Sequence, residues 1–273
     1  MNNLFSLKNK VIVVTGACGL LGRSHCDAIA SVGGIPVVLD LDQLNAEKLA
    51  SEISQNYSVE SQGFAVDITN EEQVAENANY LVSSFGKIDG LVNNAANNPK
   101  VENAVGKNFS RLENFPLDIW HKDITVGLTG AFLCCKYYGT KIYENKDGGV
   151  ILNISSDLGI IAPDQRLYSN DQLPAHEQPV KPITYSVIKS GLIGLTRYMA
   201  TYWPEKVRCN ALCPGGVETK QSKEFLLKVK ERIPMSRMAS VNEYQGALVF
   251  LMSEASAYMN GSVLSIDGGR TTW

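Results

Sequence analysis

An apolar run, Val11 to Val14, ends in the segment Thr15-Gly16-Ala17-Cys18-Gly19-Leu20-Leu21-Gly22, and a second apolar run from Ile35 closes on Asp40. A strand that turns through glycines directly into a helix restricts the fold more than any other feature of this chain. Glycines there let the backbone turn tightly, leave it bare for a pyrophosphate to approach, and let the helix pack closely on the sheet. The helix N-terminus then presents unpaired N–H groups and a positive dipole end to phosphate. A carboxylate at Asp40 can accept hydrogen bonds from both adenine-ribose hydroxyls and would repel a 2′-phosphate. Neither Ala17, Cys18 nor Leu41 offers a cation to such a phosphate. The pattern predicts a bound dinucleotide, with NAD favoured over NADP, and it leaves Asp42 as a solvated loop charge. A tight turn without ligand is the competing reading of the glycines taken alone.

The remainder of the chain keeps the same alternation of short apolar strands and longer amphipathic segments. After the strand Lys10–Thr15 and the helix Leu20–Val32, strands are expected at Ile35–Asp40, Gln62–Asp67, Ile88–Asn93, Val150–Ser155, Lys206–Leu212 and Ser262–Ile266. Helices are expected at Gln43–Gln55, from the cap Asn70 to Phe85, from Pro116 to Glu144, and at Ile183–Tyr202, Ser222–Arg232 and Val241–Met252. A polar loop fills 94–114. This is the pattern of an α/β protein, a Rossmann-like doubly wound parallel sheet with helices on both faces. No linker or compositional shift divides residues 1–273, so a single domain is expected.

Composition narrows the partners. With 25 Lys+Arg against 28 Asp+Glu, the chain lacks the concentrated basic surface that nucleic acid requires. No stretch approaches the roughly 20 apolar residues of a membrane span, and the N-terminus reads as neither signal peptide nor anchor. The 6 cysteines form no CxxC pair, which suits a reduced, cytoplasmic protein. The histidines His25, His121 and His176 stand at no metal-ligand spacing, so no metal is expected.

Further along come Asp67 at the end of Val66-Asp67-Ile68-Thr69, Asn93-Asn94-Ala95-Ala96, Ile154-Ser155-Ser156, Tyr185-Ser186-Val187-Ile188-Lys189, Pro214-Gly215-Gly216-Val217-Glu218-Thr219 and Asp267-Gly268-Gly269. Together with the glycine turn and Asp40, these resemble, in order and over essentially the whole chain, the short-chain dehydrogenase/reductase family. Tyr185 and Lys189, four apart, share one helix face. A free tyrosine titrates near 10, and an adjacent ammonium stabilises its phenolate. The resemblance implies that Tyr185 is the general acid/base while a hydride passes between substrate and nicotinamide, that Lys189 lowers the Tyr185 pKa and holds the nicotinamide ribose, and that Ser156 fixes the substrate oxygen, with Ser155 the neighbouring candidate. It further implies cofactor contacts from Gly16, Cys18, Gly19, Leu20, Leu21, Gly22, Asp40, Asp67, Ile68, Asn93 and Ala95, together with Ala96, and from Pro214, Gly215, Val217 and Thr219. For Asn93 and for Asp267-Gly268-Gly269 a purely structural role is equally open. A homodimer or homotetramer built on the long helix and the Tyr185 helix is also implied, although Leu192, Ile193, Leu195 and Met199 could be intramolecular core.

The sequence departs from the family pattern in places. The glycine turn has TGxxGxxG spacing, typical of the longer branch that epimerises or dehydrates nucleotide sugars, whereas the rest is similar to the short single-domain branch. Gly127 stands where the family commonly has an asparagine, so either an additional water fills the space or the proton relay runs differently. Between Ser156 and Tyr185 lies an insert of about 164–182, containing Asp164, Arg166, Tyr168, Asp171, His176, Glu177 and Lys181, expected to wall the substrate cleft. The segment Lys220–Arg232 matches the family's mobile lid, and its Lys220, Lys223, Lys228, Lys230 and Arg232 suit an anionic substrate. The insert and lid are loosely similar to members acting in bacterial surface-sugar and flagellin-glycan pathways. An NAD(H)-dependent oxidoreductase acting on a secondary alcohol or ketone is the leading expectation. A nucleotide-sugar epimerase or dehydratase and a non-catalytic dinucleotide sensor are the rivals.

Overall fold

Strand β1 (Val11–Thr15) is buried along its whole length and sends alternate side chains into two different cores. Ile12 and Val14 join one cluster; Val11 and Val13 join the other. A strand covered on both faces reads as an unbroken apolar run, and such strands belong to parallel sheets. The structure, a computed structural model, describes residues 4–97 and 110–273. The polar loop expected at 94–114 therefore lies partly outside the described residues.

The other strands are β2 (Ile35–Asp40), β3 (Gln62–Ala65), β4 (Gly90–Asn93), β5 (Gly149–Ile154), β6 (Val207–Pro214) and β7 (Val263–Ile266). They form one 7-stranded, all-parallel sheet in the order β3-β2-β1-β4-β5-β6-β7. Helices α1 (Leu20–Ser31), α2 (Gln43–Tyr57) and α8 (Gln245–Met252) cover one face through Ile29, Leu49, Ile53, Leu248 and Leu251. Helices α3 (Glu71–Phe85), α5 (Gly130–Glu144) and α6 (Ile183–Tyr202) cover the other through Leu81, Tyr138, Ile142 and Met199. The doubly wound sheet is thus as expected. Strand order reverses between β1 and β4, which opens a crevice at the carboxyl ends of the strands.

Local signals explain most boundaries. Asn70 caps α3, its side chain accepting a hydrogen bond from Gln73 N at 3.1 Å. Asp42, read from the sequence as a solvated loop charge, is exposed and in addition caps α2: its Oδ1 accepts from Asn45 N at 3.1 Å. The third strand stops at Ala65 rather than Asp67, and β5 stops at Ile154, so Ser156 lies beyond the strand. The helix expected over 116–144 is divided into α4 (Leu117–Ile124), a π-helical turn Thr125–Thr129, and α5. Gly127 lies in that turn. A Cβ added there would come within 2.5 Å of Ile188 Cγ2, so the space is taken by the isoleucine and no water is needed to fill it.

On α1, His25 is 1% exposed, and among the described residues neither ring nitrogen has a hydrogen-bond partner. Burial lowers its pKa from 6.5 to about 4. The unfolded chain therefore takes up a proton at a pH where the native state refuses one, and stability present above 6.5 is lost as the pH falls toward 4. This histidine should remove about 3 kcal/mol over that window. His25→Leu is expected to flatten the acid limb of a denaturation-midpoint profile; an unchanged limb would contradict the assignment.

Candidate active site

The turn after β1 is shaped by contacts that exclude side chains. Gly16 has φ +59°, and an added Cβ would stand 2.8 Å from Ala95 Cα. At Gly22 an added Cβ would lie 2.3 Å from Gly16 O, so the first turn of α1 is pressed against the loop. Gly19 caps α1 without a side-chain hydrogen bond, which leaves the first helical N–H groups open. Leu20 beside it is exposed. Asp40, at the carboxyl end of β2, accepts from Cys18 N at 2.9 Å and from Leu41 N at 2.8 Å. Burial and the Asp40 carboxylate push the Cys18 thiol up to about 11, so it stays protonated. Asn94 Nδ2 donates to Thr15 O at 2.9 Å and to Gly16 O at 3.1 Å, locking β4 to the turn. Sequence reasoning gave Asn94 no role, although its place in Asn93-Asn94-Ala95-Ala96 was a signal. The cradle, the open N–H groups and the acidic strand end together fit a dinucleotide pyrophosphate and adenosine.

Other expected contact positions separate into rim and core. Asp67 Oδ1 accepts from Thr69 N at 2.9 Å and Thr69 Oγ1 at 2.7 Å, which shapes the loop after β3. Ile68 is buried against Gly130 on the helical side. Asn93 is also buried: its Nδ2 donates to Asn153 Oδ1 at 2.8 Å, and Asn153 Nδ2 donates to Thr196 Oγ1 at 2.8 Å. The Asn93 side chain therefore joins a polar ladder through the core, which favours the structural role left open above. Ala95 packs on Gly16, and Ala96 is exposed. Pro214 ends β6; Gly215 N donates to Ile266 O at 2.9 Å; Val217 bridges to Ala239; Thr219 is exposed. Asp267 accepts from Gly269 N at 2.9 Å and Thr271 N at 2.8 Å and so shapes the C-terminal turn.

Ser156, Tyr185 and Lys189 come together at the carboxyl edge of β5. Ser156 caps a short 3₁₀ turn (Asp157–Gly159), accepting from Leu158 N at 3.2 Å. Its own hydroxyl donates to Asp157 Oδ1 at 2.7 Å. Ser155 points elsewhere, donating to Lys189 O at 2.7 Å, which ties β5 to α6. Lys189 is 6% exposed and donates from Nζ to Ile154 O at 2.8 Å; burial lowers its pKa to about 8. Tyr185 is half-buried, with Lys189 Nζ 5.8 Å from its ring centroid. The sequence-based expectation that Lys189 lowers the Tyr185 pKa is not what these surroundings produce. Burial raises it, a hydrogen bond with Ser156 and the Arg270 charge oppose the rise, and Asp157 adds to it.

Two further charged groups meet at this site, Arg270, to which the sequence assigns no role, and Lys181, one of the insert residues expected to wall the cleft. Arg270, three residues from the C-terminal Trp273, donates from Nη1 to Asp157 Oδ2 at 2.9 Å in a pair whose side chains are 12% and 4% exposed. Lys181, at the end of the insert, places Nζ 3.8 Å from the Tyr185 ring centroid. The insert itself docks on α7 (Lys223–Lys230). Leu167 packs with Val229, Ile233 and Met238; Asp164 accepts from Arg232 Nε at 2.8 Å; and Lys228 Nζ donates to Ser169 O at 2.8 Å. Two cations of the expected anion-binding lid are therefore tied to the insert, while Lys220, Lys223 and Lys230 are exposed.

Among the described residues no group of His, Cys, Asp and Glu is arranged to hold a metal ion, and no helix is long and apolar enough to cross a membrane. The profile of a family described as short chain dehydrogenase matches residues 10–169, and one described as Enoyl-(Acyl carrier protein) reductase matches residues 175–271. An NADP-dependent mannitol dehydrogenase of Hypocrea jecorina is 31% identical, covering 99% of this chain and 95% of its own. The post-translational flagellin modification protein A of Campylobacter coli is 28% identical, covering 96% and 98%. The crystal structure of a gluconate 5-dehydrogenase from Burkholderia cenocepacia in complex with NADP and tartrate superposes with a TM-score of 0.85 at 25% identity, covering 99% of this chain and 98% of the other. Sequence profile, relatives and superposition agree that this chain belongs to the short chain dehydrogenase family.

Proposed function

We propose that the protein is an NAD(H)-dependent oxidoreductase that interconverts a secondary alcohol and a ketone on a sugar-derived substrate. The observation that carries this reading is the meeting of Ser156, Tyr185 and Lys189 at the mouth of the crevice that begins at the glycine turn. When bound, the nicotinamide supplies the hydride acceptor or donor. Gly16, Cys18, Gly19, Leu20, Leu21 and Gly22 would hold the pyrophosphate, Asp40 the adenine ribose, and Asp67 and Ala95 the adenosine rim. Pro214, Gly215, Val217 and Thr219 would flank the nicotinamide end. For Ile68 and Asn93 the role is support from within the core.

In oxidation Tyr185 Oη takes the proton of the substrate hydroxyl as hydride leaves the carbinol carbon; in reduction the phenol returns that proton to the ketone oxygen. Ser156, whose hydroxyl donates to Asp157 Oδ1 at 2.7 Å, would turn that hydrogen to the substrate oxygen and so leave the alcohol O–H to donate to Tyr185. Lys189, held by Ile154 O, contributes positive charge beneath the tyrosine and would reach the nicotinamide ribose. Mannitol and gluconate in the names of similar proteins support polyols as the substrate class. The free cysteines suit a reducing, cytoplasmic compartment. Phe132, Tyr198 and Tyr202 are exposed on α5 and α6, the helices to which family likeness assigns a subunit interface in a homodimer or homotetramer.

The test is a panel of alditols offered with NAD and with NADP, followed by absorbance of the reduced dinucleotide. Net accumulation supports a dehydrogenase; a dinucleotide that cycles without accumulating supports the epimerase rival. Among the described residues no lysine or arginine pairs with Asp40, so kcat/KM with NAD is expected to exceed that with NADP by about 10-fold or more. Asp40→Ala should narrow that ratio chiefly through the KM for NADP. A wild-type preference for NADP, as in the relative from Hypocrea, would overturn the role given to Asp40.

A further inference from the structure

We propose that the preferred substrate is a polyol carrying an anionic group, a carboxylate or a phosphate, and that the ammonium of Lys181 receives that group beside Tyr185. The proposal rests on the dehydrogenase reading above and adds to it the charge of the substrate and the residue that reads it.

Lys181 is held in place by both its neighbours and its backbone. Its N–H donates to Gln165 Oε1 at 2.8 Å, within the insert, and Pro182 after it caps α6. The side chain then reaches inward until Nζ lies 3.8 Å from the Tyr185 ring centroid, a cation–π contact. An ammonium over that ring stands beside the hydroxyl that would meet the substrate.

The charge around it is unbalanced. Among the described residues no carboxylate lies within salt-bridge distance of Lys181 Nζ. The neighbouring carboxylate, Asp157, is engaged elsewhere: Oδ1 accepts from Ser156 Oγ and Leu158 N, and Oδ2 from Arg270 Nη1. Lys181 and Lys189 thus lie by the Tyr185 ring with Arg270 acting on it as well, and Asp157 is the carboxylate that acts on Lys181 and Tyr185. Burial lowers the Lys181 pKa to about 8, with Asp157 opposing the fall and Arg270 adding to it, so the ammonium is withdrawn from water with no carboxylate partner at salt-bridge distance among the described residues. An anion on the substrate supplies that partner. The lid is the poorer candidate, because Lys228 and Arg232 are bound to the insert and Lys220, Lys223 and Lys230 are exposed.

The experiment compares alditols of four, five and six carbons, each beside its aldonate and its terminal phosphate, on the unaltered protein with NAD and NADP. At least one aldonate or alditol phosphate should be oxidised with kcat/KM about 10–100-fold above its parent alditol, mainly through KM. Preference for the aldonate identifies a carboxylate, and preference for the phosphate a phosphoryl group. Lys181→Met should reduce the anionic-to-neutral ratio by about the same factor, and Lys181→Arg should keep most of it. A ratio near one in the unaltered protein overturns the proposal whether or not a variant folds, and leaves the dehydrogenase reading standing. A ratio that Lys181→Met does not change removes Lys181 from the role. Turnover of none of these compounds overturns both readings.

Discussion

Tyr185→Phe should bind dinucleotide as tightly as the parent and oxidise alcohols at least about 100-fold more slowly, since general acid/base groups contribute on that order. The substitution deletes one oxygen and keeps the ring, so the cation–π contact with Lys181 and the packing of α6 persist. Turnover followed by reduced-dinucleotide absorbance and affinity followed by calorimetry separate the two effects. A variant that keeps a third of its turnover would remove Tyr185 from the chemistry and favour a sensor. The pH profile of the parent supplies a second check. Burial raises the Tyr185 pKa, and the phenolate is the form that accepts a proton in oxidation. Oxidation should therefore quicken as the pH rises through the alkaline range, whereas reduction, which needs the phenol, should slow.

The second large effect concerns Arg270. Deleting it as Arg270→Ala leaves the Asp157 carboxylate buried against Ser156 without its counter-charge, a loss of about 3–5 kcal/mol for a buried pair broken from one side. Turnover should fall with stability, because Asp157 orients the Ser156 hydroxyl. Asp157→Ala should be similarly destabilising, and the double variant should lose much less than the sum of the two, since the groups are in direct contact. Denaturant midpoints for all four proteins measure the coupling. Additive losses would mean that the pair at 2.9 Å does not act as a unit.

These predictions depend on residues that sequence reading reached unequally. Tyr185 and Lys189 are one helical turn apart, so periodicity alone places them on a common face. Arg270 and Asp157 are separated by 113 positions, and nothing local in either segment points to the other. Asn94 stood inside a recognised motif, yet its bonds to Thr15 and Gly16 arise only once β4 lies beside β1. At Ile68 the motif position implies cofactor contact, and at Asn93 it leaves contact and a structural role equally open; both side chains lie in the core, which motif position does not reveal.

Features governed by neighbours along the chain are legible without the fold. Apolar runs buried on both faces, Asn70 at a helix start, glycines where Gly16 turns to positive φ and Gly22 meets the loop, and the Tyr185–Lys189 spacing all follow from backbone geometry and side-chain period. Tertiary structure alone decided how the charges pair. Asp157 took Arg270, Asp164 took Arg232, and Lys181 was left over Tyr185 with no carboxylate at salt-bridge distance among the described residues. Electrostatic partners are chosen by distance and burial in space, and those quantities come into being only when the insert, the lid and the C-terminal turn dock on the sheet's carboxyl edge.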